Sequence, residues 1–115
     1  MVYVRVAIVE WVSDYQPGVV KCLLTDASGK HYFMVHKLPL FTAASLDSRS
    51  VYPQPGSCAC TILARTRDER NREIVKIDTD EPWGVQSTDG LSAFDVLSEQ
   101  LEESQMSGGS KKGDG

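Results

Sequence analysis

The sequence predicts an all-β protein, namely a small SH3-like or OB-like barrel of five to seven antiparallel strands with one long loop. Apolar and polar residues alternate along several short segments, and turn residues separate these segments about every ten positions. One connection of roughly 19 residues interrupts the series. The 115 residues correspond to one domain, which we place at residues 1–103. We expect residues 104–115, which are rich in Gly, Ser and Lys, to form a flexible tail.

The first predicted strand covers residues 2–12, which are dense in β-branched and aromatic side chains. Apolar residues occupy the even positions from Val2 to Ile8, but Glu10 takes the next even position while Val9 and Trp11 take the odd ones. Because this change of phase would turn the apolar side chains to the wrong face, we expect a β-bulge between Ile8 and Glu10. Asp14, Pro17 and Gly18 then favour a turn.

The second and third strands are predicted at residues 19–25 and 30–37. Residues 26–29 form the hairpin loop between them, with Gly29 at the position of positive φ. The two faces of the third strand are about equally apolar, so periodicity does not indicate which of them is buried.

Residues 38–56 form the long connection, which is the first place where we look for function. Pro39, Pro53 and Pro55 interrupt it. We predict one helical turn at residues 42–47, capped by the side chain of Thr42.

A β-hairpin follows at residues 57–67 and 73–79, joined by a charged turn at residues 68–72. Its first strand is expected to direct four side chains inward: Cys58, Cys60, Ile62 and Ala64. Asp89-Gly90 predicts a closing hairpin between residues 84–88 and 91–96. For the last segment we predict a strand and then a helical turn at residues 98–102; the alternative is a helix over residues 91–103.

Charge is unevenly distributed along the chain, although the net charge is only -4. Residues 1–77 contain ten basic and seven acidic residues, a net charge of +3. Residues 78–103 contain eight acidic residues and no Lys or Arg. This acidic segment favours either a solvated face or an electropositive protein partner attracted by the complementary potential.

Aromatic residues beside prolines offer anchors for such a partner. We predict a partner-binding site made of Asp78, Asp80, Glu81, Trp83 and Tyr52. The chain contains no nucleophile elbow, phosphate-binding glycine loop or H-E-x-x-H motif, so we predict no catalytic residues, no cofactor and no enzyme activity.

Two alternative functions remain open. Cys58, Cys60 and His36 suggest a small-molecule or metal-binding barrel, with Cys22 and His31 as further ligands. A strand, however, places Cys58 and Cys60 on the same core-facing side and the two histidines on opposite faces, so we predict no metal site. The weaker alternative is single-stranded nucleic acid, which would contact an arginine cluster: Arg65, Arg67, Arg70 and Arg72.

The combined pattern resembles small single-domain bacterial proteins for which no activity is established. The residues that carry the resemblance are Asp14 to Gly18, Pro39, Asp47, the motif Tyr52-Pro53-Gln54-Pro55-Gly56, the run Ile77-Asp78-Thr79, Pro82-Trp83-Gly84 and Asp89-Gly90. The resemblance implies a bacterial origin and no mechanism. Small acidic proteins of this kind include the immunity partners of toxins, so we predict a protein-binding, accessory or immunity-type protein.

We expect a cytoplasmic protein that does not enter a membrane. Three cysteines are an odd number, and the first thirty residues contain no secretory apolar region. The longest apolar run is residues 6–9, whereas a membrane-spanning helix requires about 20 apolar residues.

Overall fold

The computed structural model describes residues 1–103, which form a curled, antiparallel half-barrel sheet. The seven strands are β1 (Val2–Ser13), β2 (Val19–Thr25), β3 (His31–Lys37), β4 (Gln54–Arg67), β5 (Glu73–Asp78), β6 (Ala93–Leu97) and β7 (Leu101–Glu103). Short 3-10 turns lie at Leu38–Leu40 and Ser98–Gln100. The predicted all-β, barrel-like fold with one long loop is therefore confirmed. The predicted tail at residues 104–115 lies outside the described residues.

The strands follow the order β3-β2-β1-β4-β5-β6, and β7 pairs with the start of β1. The two ends of the sheet also approach each other. The Ala27 N–H donates to the Asp95 carbonyl at 2.8 Å, and the Thr88 N–H donates to the Phe33 carbonyl at 2.8 Å. These contacts join β3 and its preceding turn to β6 and to the connection before it, so the sheet curls around its core.

The core lies on the inner face, where alternate side chains of all six long strands meet. Its largest fully buried members include Phe41, Ile8, Leu24 and Met34. In β3 the face with Met34 is the inner one, and Tyr32 packs on Phe94 with ring centroids 4.9 Å apart. The two faces of β3 are about equally apolar in sequence, and packing against β6 determines which of them is buried.

The predicted bulge in β1 is confirmed, because the pairing with β2 shifts register between Ile8 and Glu10. The predicted β2–β3 turn is also confirmed, with Gly29 at φ 89°. At the C-terminal end, β6, the turn Ser98–Gln100 and β7 confirm a strand followed by a helical turn, and the helix alternative is wrong.

The helical turn predicted at residues 42–47 is wrong. The helical turn of this connection is Leu38–Leu40, where Pro39 fits the second position because the first turn of a helix needs no intrahelical backbone donor there. After it, the Phe41 carbonyl accepts a hydrogen bond from the Ser57 N–H at 2.8 Å, which holds the chain beside β4. The Thr42 hydroxyl instead accepts the Ala44 N–H at 3.0 Å, so Thr42 caps a local turn.

Two predictions of pairing and orientation need correction. Ala64 is exposed, because a register shift between Ile62 and Ala64 reverses the alternation of β4. The Asp89-Gly90 turn forms, with Gly90 at φ 82°, but residues 84–88 are not a strand paired with β6. Ser87 bridges to Met34 of β3 instead. Among residues 1–103, no helix has the length and apolar character needed to cross a membrane.

Candidate protein-interaction site

The connection between β5 and β6, residues 79–92, forms an ordered loop that we call the Trp83 loop. The Asp78 carboxylate accepts the Asp80 N–H at 2.9 Å, and the Gly84 N–H donates to the Asp80 carbonyl at 2.7 Å. Gly84 adopts φ 69°, the left-handed region that favours glycine. These bonds fold residues 80–84 into a tight turn that projects Glu81 and Trp83.

This turn lies on the outer face of the sheet. The Thr61 hydroxyl of β4 donates to the Glu81 carbonyl at 3.3 Å. Trp83 packs edge-to-face on Tyr3 of β1, with ring centroids 6.2 Å apart. Ala59, the β4 partner of Tyr3, is 0% exposed although it points outward. The Trp83 loop therefore covers part of the sheet exterior while Trp83 itself remains 39% exposed.

A cleft of about 270 Å³ opens beside this aromatic pair. It is lined by Tyr3 of β1, Ser57 of β4 and Trp83, together with residues 39–43 of the long connection. We call this the aromatic cleft. Its lining thus combines residues of two strands with residues of the two connections that interrupt the regular strand pattern.

The cleft continues into a second depression of about 340 Å³ that shares Ser57 and residues 41–43 with it. At its far end Arg5 forms an ion pair with Glu102 of β7 at 3.8 Å and donates to the backbone carbonyl of Glu99. The charges of Arg5 and Glu102 therefore offset each other at this end of the groove.

Four of the five predicted partner-binding residues lie close together. Asp78, Asp80, Glu81 and Trp83 all belong to the end of β5 and the turn that follows it. Tyr52 does not join them. It packs against the core from the end of the long connection, and its hydroxyl donates to the Asp47 carbonyl at 2.7 Å.

The eight acidic residues of the segment do not form one continuous patch. They are Asp78, Asp80, Glu81, Asp89, Asp95, Glu99, Glu102 and Glu103. Asp95 of β6 lies 3.9 Å from Lys76, and Glu102 contacts Arg5. Within residues 1–103, the carboxylates of Asp80 and Glu81 make no ion pair, so their negative charge beside Trp83 is not offset by a basic side chain.

Comparison with known proteins identifies no relative. No protein-family model matches the chain. No curated protein and no solved structure has significant similarity to it. The function is therefore inferred from the geometry of this site alone.

The cysteines lie on the inner face, where Cys22, Cys58 and Cys60 are buried free thiols. Burial raises the pKa of Cys22 and Cys58 to about 12, with a neighbouring cysteine adding to the effect in each case. Burial raises the pKa of Cys60 to about 11. Because thiolates are the nucleophilic and metal-binding form, these side chains behave as small apolar groups at neutral pH.

The histidines lie on opposite faces of β3, as predicted. His31 is exposed and its ring contacts the Thr25 hydroxyl at 3.0 Å, whereas His36 is half-buried and its Nδ1 accepts the Lys37 N–H at 2.8 Å. Over the part of the chain that the structure describes, no group of three or more His, Cys, Asp or Glu side chains could hold a metal ion.

The arginine cluster at the β4–β5 turn makes contacts within its own hairpin. Arg72 binds Asp68 at 2.8 Å, and Arg65 lies 3.4 Å from Glu73. Arg67 donates to the Asn71 carbonyl at 2.8 Å. Three of the four arginines that could contact nucleic acid are thus engaged locally.

Sequence reasoning missed Tyr3, Ser57 and residues 39–43 as walls of the aromatic cleft. The only available signal was the length of the connection at residues 38–56, which indicated an ordered loop without saying what it faced. The meeting of two connections on one sheet face depends on how the sheet curls.

Proposed function

We propose that this chain is a non-catalytic module that binds an electropositive protein through Asp78, Asp80, Glu81 and Trp83. The observation that carries the proposal is the position of Trp83, which is 39% exposed on the outer face and belongs to the same tight turn as the two carboxylates. Partly exposed tryptophans beside charged groups are frequent binding anchors. The carboxylates would accelerate association and select for basic partners.

The placement of the reactive groups supports a binding role over catalysis. The three thiols are the strongest nucleophiles of the described chain, and they are buried on the opposite face from the Trp83 loop. Their raised pKa values keep them protonated at neutral pH.

Affinity capture with the intact protein tests this function. We expect a partner that is retained at low ionic strength and released by salt, because screening weakens contacts between exposed charges. Retention should fall at least tenfold with Trp83→Ala or with the double variant Asp80→Asn, Glu81→Gln. Glu10→Gln is the control, since it removes an exposed carboxylate near the end of β1, away from Tyr3 and Trp83.

A partner that is indifferent to both salt and the Trp83-loop variants contradicts the proposal. So does a partner whose retention depends as strongly on Glu10 as on Asp80 and Glu81.

A further inference from the structure

We infer that the aromatic cleft binds a proline-rich segment in the polyproline II conformation that carries adjacent Lys or Arg residues. The inference rests on the proposed function and specifies the part of the partner that enters the site. Trp83 packs edge-to-face on Tyr3 at an interplanar angle of 62°, so the cleft contains two aromatic rings in different planes. Pro39 and Leu40 belong to the lining of the same cleft. Proline-rich segments bind in aromatic-lined grooves of this kind.

The polar groups of the cleft favour a ligand whose carbonyl groups are free. The Trp83 indole N–H and the Tyr3 hydroxyl donate no hydrogen bond to any group among residues 1–103, although both side chains line the cleft. A polyproline II segment has no internal hydrogen bonds and therefore offers its carbonyls as acceptors. A helix offers none along its length, because its carbonyls are already bonded within the helix.

The backbone around the cleft argues against binding of an added strand. Strand addition requires unpaired N–H and C=O groups along a sheet edge. Beside the cleft, the Ser57 N–H of β4 already donates to the Phe41 carbonyl. Tyr3 and Ser57 also belong to β1 and β4, which pair with each other in the sheet. A ligand in the cleft therefore contacts side chains and does not extend the sheet by a strand.

The charges beside the cleft specify the flanking residues of the ligand. Asp80 and Glu81 lie in the same turn as Trp83, and Glu102 lies at the far end of the groove. The one basic side chain of the groove lining, Arg5, contacts Glu102. Because Arg5 offsets the charge of Glu102, the acidic end of the groove is the one beside Asp80 and Glu81, and a ligand with Lys or Arg next to its prolines complements that end.

Titration of the isotope-labelled protein with three synthetic peptides tests this inference. The probe is hexaproline followed by three arginines. One control peptide replaces the prolines with alternating Gly and Ser, and the other replaces the arginines with glutamates. The readout is the NMR signal of the Trp83 indole N–H. Trp11 is an internal reference, because its indole N–H is already bonded to Asp14 at 2.8 Å.

We expect the probe to shift the Trp83 signal, to leave the Trp11 signal unchanged and to bind at least tenfold more tightly than either control peptide. Trp83→Ala should weaken binding at least tenfold. Tyr3→Phe, which keeps the ring and removes only the hydroxyl, should weaken it several-fold. Leu63→Ala is the matched control, since Leu63 is exposed on β4 and is absent from the cleft lining.

Three other results are possible, and each of them decides against at least one of the two proposals. Equal binding of both arginine peptides overturns the polyproline inference and leaves the electropositive partner standing. Preferential binding of the glutamate peptide overturns both. If none of the peptides binds, the polyproline inference fails, and the proposed function is then decided by affinity capture with the Trp83-loop variants.

Discussion

Thr79 holds the Trp83 loop in place from inside the protein. It is 0% exposed, and its hydroxyl donates to the Val85 carbonyl at 2.7 Å. Its N–H donates to the Ser92 carbonyl at 2.9 Å and its carbonyl accepts the Val85 N–H at 3.1 Å. One residue therefore ties together both ends of the loop, and the position of Trp83 depends on these bonds.

We predict that Thr79→Val destabilises the protein, because valine keeps the shape of threonine but leaves the buried Val85 carbonyl without its donor. The free energy of unfolding should fall by about 1–3 kcal/mol, measured by urea denaturation. Thr79→Ser keeps the hydroxyl and should lose less. Equal stability of Thr79→Val and the unchanged protein would show that the hydroxyl does not hold the loop.

Ala59 shows what residue patterns can and cannot predict. Alternation with the inward Cys58 and Cys60 puts Ala59 on the outer face, yet Ala59 is fully buried there. On that face its neighbours Tyr3 and Thr61 contact Trp83 and Glu81, which lie more than twenty positions after Ala59 in the chain. Periodicity reports the face of a strand, whereas burial depends on which distant segment packs on that face.

At the scale of elements, the β2–β3 hairpin depends on one carboxylate. Asp26 Oδ1 accepts the Ser28 and Lys30 N–H groups, both at 2.9 Å, and the Ser28 hydroxyl at 2.7 Å. Partial burial raises the pKa of Asp26, but the hydrogen bonds from Ser28, Lys30 and Tyr32 together lower it by more than burial raises it. The pKa of Asp26 is therefore below its ordinary value. The ionised form is therefore the one that the folded turn prefers.

We predict that Asp26→Ala lowers the free energy of unfolding by about 1–2 kcal/mol at neutral pH. A lowered folded pKa stabilises the fold above the ordinary aspartate pKa of about 3.9, and this contribution is lost as the pH falls through the folded value. The stability difference between the two proteins should therefore shrink in acid. Urea denaturation from pH 7 to pH 3 measures this difference. Asp47→Ala, which changes an aspartate in another turn, is the control. A difference that stays constant with pH contradicts this account.

Element prediction succeeded where local chemistry decides and failed where a distant partner does. The bulge near Ile8 and the turn at Gly29 follow from alternation and from the tolerance of glycine for positive φ. The turn expected after Thr42 failed because the Phe41 carbonyl bonds to Ser57. The strand expected before Asp89 failed because Ser87 bridges to β3.

At the scale of the whole molecule, the sheet curls through contacts that have no signature in the sequence. Gln100 donates to the Thr25 carbonyl at 2.8 Å and accepts the Leu97 N–H at 2.8 Å. This bond and the Ala27–Asp95 contact join segments about seventy residues apart. The same curling brings residues 39–43 and the Trp83 loop together around one cleft. Asp78, Asp80, Glu81 and Trp83 are close in sequence, so their proximity was predictable, whereas the contribution of residues 39–43 to the cleft was not.

The buried thiols provide a whole-molecule measure of this closed core. Cys22 belongs to β2, and Cys58 and Cys60 belong to β4, so only opening of the sheet exposes them together. In the folded protein their pKa values are raised to about 12, 12 and 11. In the unfolded chain a thiol ionises at about pH 8.5.

We predict that stability falls as the pH rises from about 8.5 towards 11, because the unfolded chain releases thiol protons that the folded protein retains. Each thiol contributes a loss of up to about 1.4 kcal/mol per pH unit in this range. Urea denaturation under reducing conditions measures the slope. Cys58→Ala should lower stability at pH 7, because it leaves a small cavity, and should also reduce the slope above pH 8.5. Parallel pH profiles for the two proteins would mean that the Cys58 thiol is not held protonated by the closed sheet.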